Sequence, residues 1–181
     1  MNAPPKPLLI LDVDETLLFA AETPLERASD FGLGPFYVYL RPHLDSFWKT
    51  CAESFTLAVW SSSGSDYLEG ILSRIVPDDI CLAFTWSRER CVRRYDAERQ
   101  EYYFVKDLKK VKRLGYDLDQ VLIADDTPQK VGRNYGNAVY VRPFLGEPAD
   151  EELIHLGRYL TSLSGCSNFR KVEKRGWRNH V

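Results

Sequence analysis

Short apolar runs that alternate with amphipathic segments are the main organising pattern of this chain. Leu8–Val13 is an apolar run of strand length that ends in carboxylates, which is typical of a strand buried on both faces of a sheet. Further strands are predicted at Phe36–Leu40 (more peripheral), Thr56–Trp60, Ile80–Trp86, Val121–Ala124 and Ala138–Val141. Apolar strands that alternate with helices predict an α/β fold with a parallel, Rossmann-like central sheet covered by helices.

The connecting segments have the spacing of helices. Apolar residues at helical intervals follow Pro42, where proline suits the first turn. The other helices are predicted after Gly64, over Leu108–Leu114 with Gly115 at the end, and from about Asp150 to Leu163. We therefore expect one domain over residues 8–165, preceded by a flexible leader (1–7) and followed by a C-terminal tail (166–181). The polar stretch Asp96–Gln100 predicts a β-hairpin insert within about 80–105.

Composition excludes several classes of protein. Of the 181 residues, 44% are hydrophobic and 28% are charged, as in an ordinary globular domain. The net charge of −2 argues against direct nucleic-acid binding. We find no apolar stretch near the ~18 residues of a membrane span and no signal peptide, so no membrane association is expected. Four separated cysteines predict reduced, buried thiols and a cytoplasmic location, with the nucleus as the alternative in a eukaryote.

Polar side chains follow several of the predicted strands. Ligands of parallel α/β sheets bind beyond the carboxyl ends of the strands. The residues expected there are Asp12, Asp14 and Thr16 after the first strand, Ser61 after Thr56–Trp60, and Asp125 and Asp126 after Val121–Ala124. Lys106 is expected on the short helix that precedes this last strand. Four carboxylates, a hydroxyl and an ammonium group thus converge on one crevice.

The mutual repulsion of these carboxylates indicates what the crevice binds. Two like charges ~4 Å apart repel by about 4 kcal/mol at an effective dielectric constant of 20. Four carboxylates would repel by on the order of 10 kcal/mol in total, comparable to the stability of a whole domain. Lys106 alone cannot balance four negative charges. Oxygen ligands without nearby His or Cys favour Mg²⁺, which keeps several waters and binds phosphate.

The same residues lie in recognisable motifs. Asp12-Val13-Asp14-Glu15-Thr16-Leu17 has the form D-x-D-x-T-L. Further stretches agree in order: Arg41-Pro42-His43, Trp60-Ser61-Ser62-Ser63, Arg88-Glu89-Arg90-Cys91-Val92, Phe104-Val105-Lys106-Asp107-Leu108 and Val121–Asp126. Over residues 8–165 the chain resembles phosphatases of the haloacid dehalogenase type, and more narrowly the NLI-interacting-factor-like group that includes the small RNA polymerase II CTD phosphatases.

This resemblance implies roles for individual residues. Asp12 would be the nucleophile that forms an aspartyl-phosphate, and Asp14 the general acid and base. Mg²⁺ would be held by the Asp12 carboxylate, the Asp14 backbone carbonyl and Asp126, with Asp125 close by. The residues expected to contact the substrate are Thr16, Ser61, Ser62, Arg88 and Lys106.

The lengths of the connecting segments bear on the substrate. Residues 15–60 and 62–105 are already occupied by predicted elements, so neither leaves room for a large cap domain. An open site admits a protein side chain, so a phosphoserine or phosphothreonine protein is the expected substrate. Residues 88–113 contain ten Lys or Arg and five Asp or Glu, which suits an anionic substrate. Glu22 lies near the place of a family aromatic that holds a substrate proline, which argues against CTD-peptide specificity.

Two other functions are compatible with the sequence. A small-molecule phosphatase could use an oligomer partner as its lid, and it would hydrolyse sugar phosphates faster than phosphopeptides. A non-catalytic assembly scaffold of the same fold would show no Mg²⁺-dependent hydrolysis. The sequence leaves the oligomeric state open.

Overall fold

The structure, a computed structural model, describes residues 5–181. Five helices and ten strands alternate along this part of the chain. In chain order they are β1 (Leu8–Leu11), β2 (Leu18–Ala21), β3 (Phe31–Leu33), β4 (Phe36–Leu40), α1 (Leu44–Ser54), β5 (Thr56–Trp60), α2 (Ser65–Ile75), β6 (Leu82–Trp86), β7 (Val92–Asp96), β8 (Glu101–Val105), α3 (Lys109–Lys112), β9 (Val121–Asp125), α4 (Pro128–Val131), β10 (Ala138–Tyr140) and α5 (Glu152–Leu163). Short 3₁₀ helices lie at Arg88–Arg90, Leu118–Gln120, Gly132–Asn134, Phe169–Lys171 and Trp177–His180.

The centre of the fold is a five-stranded parallel sheet in the order β10-β9-β1-β5-β6. All four residues of β1 are buried, because helices cover both faces of the sheet. Leu9 and Leu11 pack in the cluster that includes buried residues of α1, α2 and α5, whereas Leu8 and Ile10 pack in the cluster that includes Val111. The predicted α/β class and parallel sheet are confirmed.

Two small antiparallel sheets stand outside this core. β2, β4 and β3 form a three-stranded sheet, of which only β4 is predicted from the sequence. β7 and β8 form the predicted hairpin. The hairpin insert is shorter than the expected 80–105, since β6 pairs in parallel with β5 and belongs to the central sheet. Within the described residues no large cap domain is present, in agreement with the sequence.

The C-terminal segment differs from the predicted tail. Phe169 and Trp177 are buried in the main hydrophobic cluster. The Trp177 indole stacks on Tyr159 with ring centroids 5.3 Å apart, and its Nε1 donates to the Tyr140 carbonyl at 2.9 Å. Residue 165 therefore does not end the folded domain. The segment has few apolar residues without helical or strand spacing, so its sequence does not reveal this packing.

Two local expectations also need correction. Cys51 is buried as expected, but Cys81 is exposed, and all four cysteines are free thiols. Leu114, expected inside the short helix α3, is 50% exposed because α3 ends at Lys112. Of the leader, residues 1–4 lie outside the described part of the chain. Lys6 donates to the Ala52 carbonyl at 2.7 Å, and the flexible leader stays a prediction.

Between residues 5 and 181, no helix combines the length and the apolarity that crossing a membrane requires.

The buried C-terminal segment yields a stability prediction. Trp177→Ala should lower the free energy of unfolding by about 3–5 kcal/mol, because it removes a large buried side chain and leaves a cavity. Arg175→Ala is the control, since this side chain is 88% exposed and should change stability by less than about 1 kcal/mol. Urea denaturation measures both. Equal unfolding midpoints for the two variants would show that residues 166–181 do not belong to the core.

Candidate active site

The site is built where β1 and β9 end side by side. The two strands pair in parallel with Leu11 opposite Ala124, so the next residues, Asp12 and Asp125, stand at the same level. The backbone nitrogen of Asp12 donates to the Ala124 carbonyl at 3.0 Å. Both aspartates are buried. The parallel register thus brings together two carboxylates that lie far apart in the sequence.

Lys106 joins these two carboxylates. Its Nζ lies 2.5 Å from Asp12 Oδ1 and 2.6 Å from Asp125 Oδ2, and the side chain is completely buried. The residue directly follows β8 and precedes α3, so it lies in the connection and not on the helix as expected. Its backbone is fixed there, since its nitrogen donates to the Lys130 carbonyl at 2.8 Å.

Lys130 is a second ammonium group that the sequence analysis missed. Its Nζ lies 3.5 Å from Asp12 Oδ2 and 3.7 Å from Asp126 Oδ1. Because Lys106 is not the single cation of the site, the excess of negative charge is smaller than the sequence predicts. The sequence does carry a signal for this second ammonium group. Lys130 lies four residues after Asp126, a spacing that brings two side chains together on a helix.

Burial and neighbouring charges act against each other on these groups. Burial disfavours the charged form of Asp12, but the ammonium groups of Lys106 and Lys130 outweigh it and lower the pKa of Asp12. Burial and then the Asp12 charge raise the pKa of Asp125 to about 6. Burial lowers the pKa of Lys106, but Asp12 and Asp125 outweigh it, and the net shift is upward. Asp12 is thus the carboxylate of this pair whose ionised form is held more strongly.

Three carboxylates are close enough to share one cation. Oxygen atoms of Asp12, Asp125 and Asp126 all lie within 4.8 Å of one another. The Oδ1 atom of Asp126 is buried and accepts no hydrogen bond from any residue between 5 and 181. An all-oxygen set with one unsatisfied buried carboxylate oxygen fits Mg²⁺. The Asp14 carboxylate is not part of this cluster, so its predicted ligand role rests on its backbone carbonyl.

The Asp14 carboxylate is held by hydroxyl groups instead. Ser63 Oγ donates to Asp14 Oδ2 at 2.8 Å and Ser61 Oγ at 3.4 Å, while the Tyr67 hydroxyl donates to Oδ1 at 2.6 Å. Burial and then the Asp14 charge raise the pKa of Tyr67. Ser63 directly precedes Gly64, the N-cap residue of α2. Tyr67 was missed, since its spacing indicated a core residue.

A tight turn connects Asp14 to the rest of the motif. Glu15 adopts a left-handed backbone conformation with φ of 60°, which is uncommon for residues other than glycine. Its nitrogen donates to the Leu18 carbonyl at 2.7 Å. Thr16 is completely buried, and its Oγ1 has no hydrogen-bond partner among the described residues. The predicted contact of Thr16 with substrate is therefore not supported by its position.

Arg41 fixes this turn from behind. Its guanidinium donates to both carboxylate oxygens of Asp150 at 2.8 and 2.9 Å, and to the Thr16 carbonyl at 3.0 Å. Arg41 is 1% exposed. The sequence predicts no role for Arg41, because its partner lies more than 100 residues further along the chain.

Ser61, Ser62 and Arg88 line the edge of the site next to β5. The backbone nitrogen of Ser61 donates to the Trp86 carbonyl at 2.8 Å, which aligns it with the end of β6. Arg88 Nε donates to the Ser62 carbonyl at 2.7 Å. The exposed guanidinium of Arg88 thus stands beside the serine turn, and its contact with substrate stays a prediction.

The comparisons with known proteins agree with this geometry. Residues 7–170 match the family model described as NLI interacting factor-like phosphatase. The chain belongs to this family. It is 31% identical over 169 residues to the human carboxy-terminal domain RNA polymerase II polypeptide A small phosphatase 2, with 88% of this chain and 58% of that protein covered.

Two further similarities define how far the comparison reaches. The chain is 28% identical over 176 residues to CTD small phosphatase-like protein 2 of Dictyostelium discoideum, with 93% of this chain and 29% of that protein covered. The first two curated relatives are about three times longer than the region that matches this chain. The chain spans 29% of the length of the first and 35% of the length of the second. The solved structure of Fcp1, an RNA polymerase II CTD phosphatase, aligns with a TM-score of 0.67 at 16% identity over 88% of this chain and 62% of that chain, and supports the fold.

The pairing of Arg41 with Asp150 yields a pH-dependent stability prediction. Asp150→Asn should lower the free energy of unfolding by about 3 kcal/mol at pH 7, because it leaves a buried guanidinium without its counter-charge. Burial opposes ionisation of Asp150, but Arg41 outweighs it and lowers the pKa of Asp150. The stabilisation is therefore present above the unfolded pKa of about 4 and is lost as the pH falls through the lower folded pKa.

Thermal unfolding between pH 2 and pH 7 measures this difference. Asp78→Asn is the matched control, because Asp78 is exposed and should change stability little at any pH. A difference between wild type and Asp150→Asn that stays constant down to pH 2 would contradict the assigned charge pair.

Proposed function

We propose that this chain is a Mg²⁺-dependent phosphatase that hydrolyses phosphomonoesters through an aspartyl-phosphate on Asp12. The observation that carries the proposal is the contact of Lys106 with both Asp12 and Asp125. Asp126 lies close enough for its carboxylate to share one metal ion with these two carboxylates. The matching family of phosphatases supports the reaction class. We place the phosphatase domain at residues 8–165 together with the packed C-terminal segment.

Asp12 is suited to act as the nucleophile. Lys106 holds its Oδ1, whereas Oδ2 has Lys130 at 3.5 Å, so we assign the attack on phosphorus to Oδ2. A bond forms from Oδ2 to phosphorus while the bond from phosphorus to the leaving oxygen breaks. Lys106 and Lys130 offset the negative charge of the transferring group.

Asp14 is assigned the proton transfers. In the first step the protonated form of Asp14 gives its proton to the leaving oxygen and becomes the carboxylate. In the second step it takes a proton from the water that attacks phosphorus, and the bond from phosphorus to Asp12 breaks to release phosphate. To reach the substrate, the Asp14 side chain gives up its hydrogen bonds with Ser63 and Tyr67. It then forms a hydrogen bond with the leaving oxygen. Ser61, at the end of β5, is assigned a hydrogen bond to a phosphoryl oxygen.

Mg²⁺ would be held by Asp12, Asp126 and the Asp14 backbone carbonyl, with Asp125 behind them. When bound, it would neutralise charge on the phosphoryl group. The unsatisfied Oδ1 of Asp126 supports this ligand set.

The open architecture supports a protein substrate. No large cap domain covers the site within residues 5–181, and the insert beside it is a two-stranded hairpin. An uncovered site accepts a phosphorylated side chain presented on a peptide. We therefore propose phosphoserine or phosphothreonine in proteins as the substrate class. The free cysteines support the cytoplasm as the compartment, with the nucleus as the eukaryotic alternative.

The nucleophile assignment yields an activity prediction. Asp12→Asn should lower Mg²⁺-dependent hydrolysis of p-nitrophenyl phosphate by at least about 10³-fold, because it removes the attacking oxygen anion. Removal of Mg²⁺ with EDTA should abolish wild-type activity, and added Mg²⁺ should restore it. Asp12→Asn that retains activity would refute the nucleophile. Wild-type protein without any Mg²⁺-dependent hydrolysis would favour a scaffold.

The acid role of Asp14 is tested by the leaving group. Asp14→Asn should lower kcat/KM for a phosphoserine peptide by about 10²–10⁴-fold, and for p-nitrophenyl phosphate much less, because p-nitrophenolate leaves without a proton. Asp66→Asn, an exposed aspartate on α2, is the control. Equal losses on both substrates would contradict the acid assignment. Wild-type protein that hydrolyses sugar phosphates faster than phosphopeptides would favour a small-molecule phosphatase.

A further inference from the structure

One face of the β7–β8 hairpin carries a row of arginine and aromatic side chains. In an antiparallel pair, directly opposite residues lie on the same face, and alternate residues share it. Arg93 is opposite Phe104, and Tyr95 is opposite Tyr102, so these four side chains lie on one face. The other face includes Val105, which is buried, and Asp96, which accepts from Gln129 of α4 at 3.3 Å. The hairpin therefore presents the arginine and aromatic face outward.

The side chains of this row are ordered by mutual contacts. The guanidinium of Arg88 lies over the Phe104 ring at 5.1 Å from its centroid, and that of Arg93 lies over the Tyr102 ring at 3.6 Å. Tyr102 contacts Tyr95 with centroids 5.0 Å apart. We call these five residues the arginine strip. Guanidinium groups held on aromatic faces keep their edge N–H groups available for an anion.

One end of the arginine strip is joined to the candidate active site. Arg88 Nε donates to the carbonyl of Ser62 at 2.7 Å, and Ser62 directly follows Ser61. The strand that carries Phe104 and Tyr102 leads directly into Lys106. The strip thus runs outward from the crevice along the hairpin.

In the described part of the chain, the arginines of the strip have no acidic partner. Among residues 5–181, neither Arg88 nor Arg93 forms a salt bridge. Tyr95 and Tyr102 are 54% and 57% exposed. Exposed arginines that are positioned by aromatic rings but carry no internal counter-charge are suited to bind an external carboxylate or phosphate.

The spacing of the strip matches that of an extended peptide. Phe104 and Tyr102, on which the two guanidinium groups rest, are two residues apart on one strand, roughly 7 Å. Alternate side chains of an extended peptide repeat at the same distance of roughly 7 Å. A peptide that places its phosphorylated residue in the crevice can therefore place a neighbouring acidic residue at Arg93.

We propose that the arginine strip selects substrates with a second negative charge near the phosphorylated residue. This inference rests on the proposed phosphatase function and specifies its substrate class. The second charge is an aspartate, a glutamate or another phosphorylated residue, two to four positions away, bound through the guanidinium of Arg93 and the hydroxyl groups beside it.

A binding experiment tests this selection without turnover. Phosphoserine peptides that carry a pair of glutamates two to four residues before or after the phosphorylated residue are compared with matched glutamine peptides. Binding to the Asp12→Asn variant is measured by fluorescence anisotropy in Mg²⁺. At least one glutamate peptide should bind about 5–10-fold more tightly than its glutamine partner.

Two charge-matched variants assign the effect to the strip. Arg93→Gln should bind the glutamate and glutamine peptides about equally. Arg94→Gln removes the same charge from the opposite face of the same strand and should keep the preference. Tyr102→Leu, which removes the ring under Arg93, should also weaken it. Equal binding of all peptides, or equal losses in Arg93→Gln and Arg94→Gln, would overturn the proposal.

The same peptides separate this inference from the function on which it rests. Wild-type protein that binds glutamate peptides preferentially but hydrolyses none of them would refute the proposed function and retain the strip. Wild-type protein that hydrolyses glutamate and glutamine peptides with equal kcat/KM would refute substrate selection by the arginine strip. The proposed phosphatase function would still stand.

Discussion

The buried ammonium group of Lys106 is the interaction on which the site depends. It lies within 2.6 Å of carboxylates from two adjacent strands, Asp12 and Asp125, and without it these carboxylates would repel each other in a region that water does not screen. Lys130 adds a second positive charge at the open side. Three carboxylates and two ammonium groups leave one excess negative charge, which a divalent cation together with a phosphoryl anion can accommodate.

Much of the fold and of the site follows from the sequence. Strands buried on both faces give unbroken apolar runs, so β1, β5 and β9 were identifiable without tertiary information. Parallel strands present their carboxyl ends at one edge, so Asp12, Ser61 and Asp125 were expected to meet. The β7–β8 hairpin followed from a polar turn between two strand-like segments. In each case the signal is local and the geometry that combines the signals is general.

The features that escaped prediction depend on contacts between distant segments. Arg41 and Asp150 are ordinary charged residues until the fold places them together, and the burial of Trp177 has no periodic pattern around it. Tyr67 has the spacing of a core residue, yet its hydroxyl binds Asp14. Lys130 lies beside Asp12 because α4 follows β9 directly. Apart from the spacing of Lys130 four residues after Asp126, side-chain pairing of this kind is determined by tertiary packing and leaves no local pattern in the sequence.

The central claim is that Asp12 accepts the phosphoryl group from the substrate. Borohydride reduces an aspartyl-phosphate to homoserine, so acid-quenched Asp14→Asn protein, mixed with p-nitrophenyl phosphate and Mg²⁺, can be reduced and mapped by mass spectrometry. The account predicts homoserine at position 12 in the presence of substrate and Mg²⁺, and unmodified Asp12 when either is omitted. Phosphorylation or reduction at another residue, with Asp12 unmodified during turnover, would contradict it.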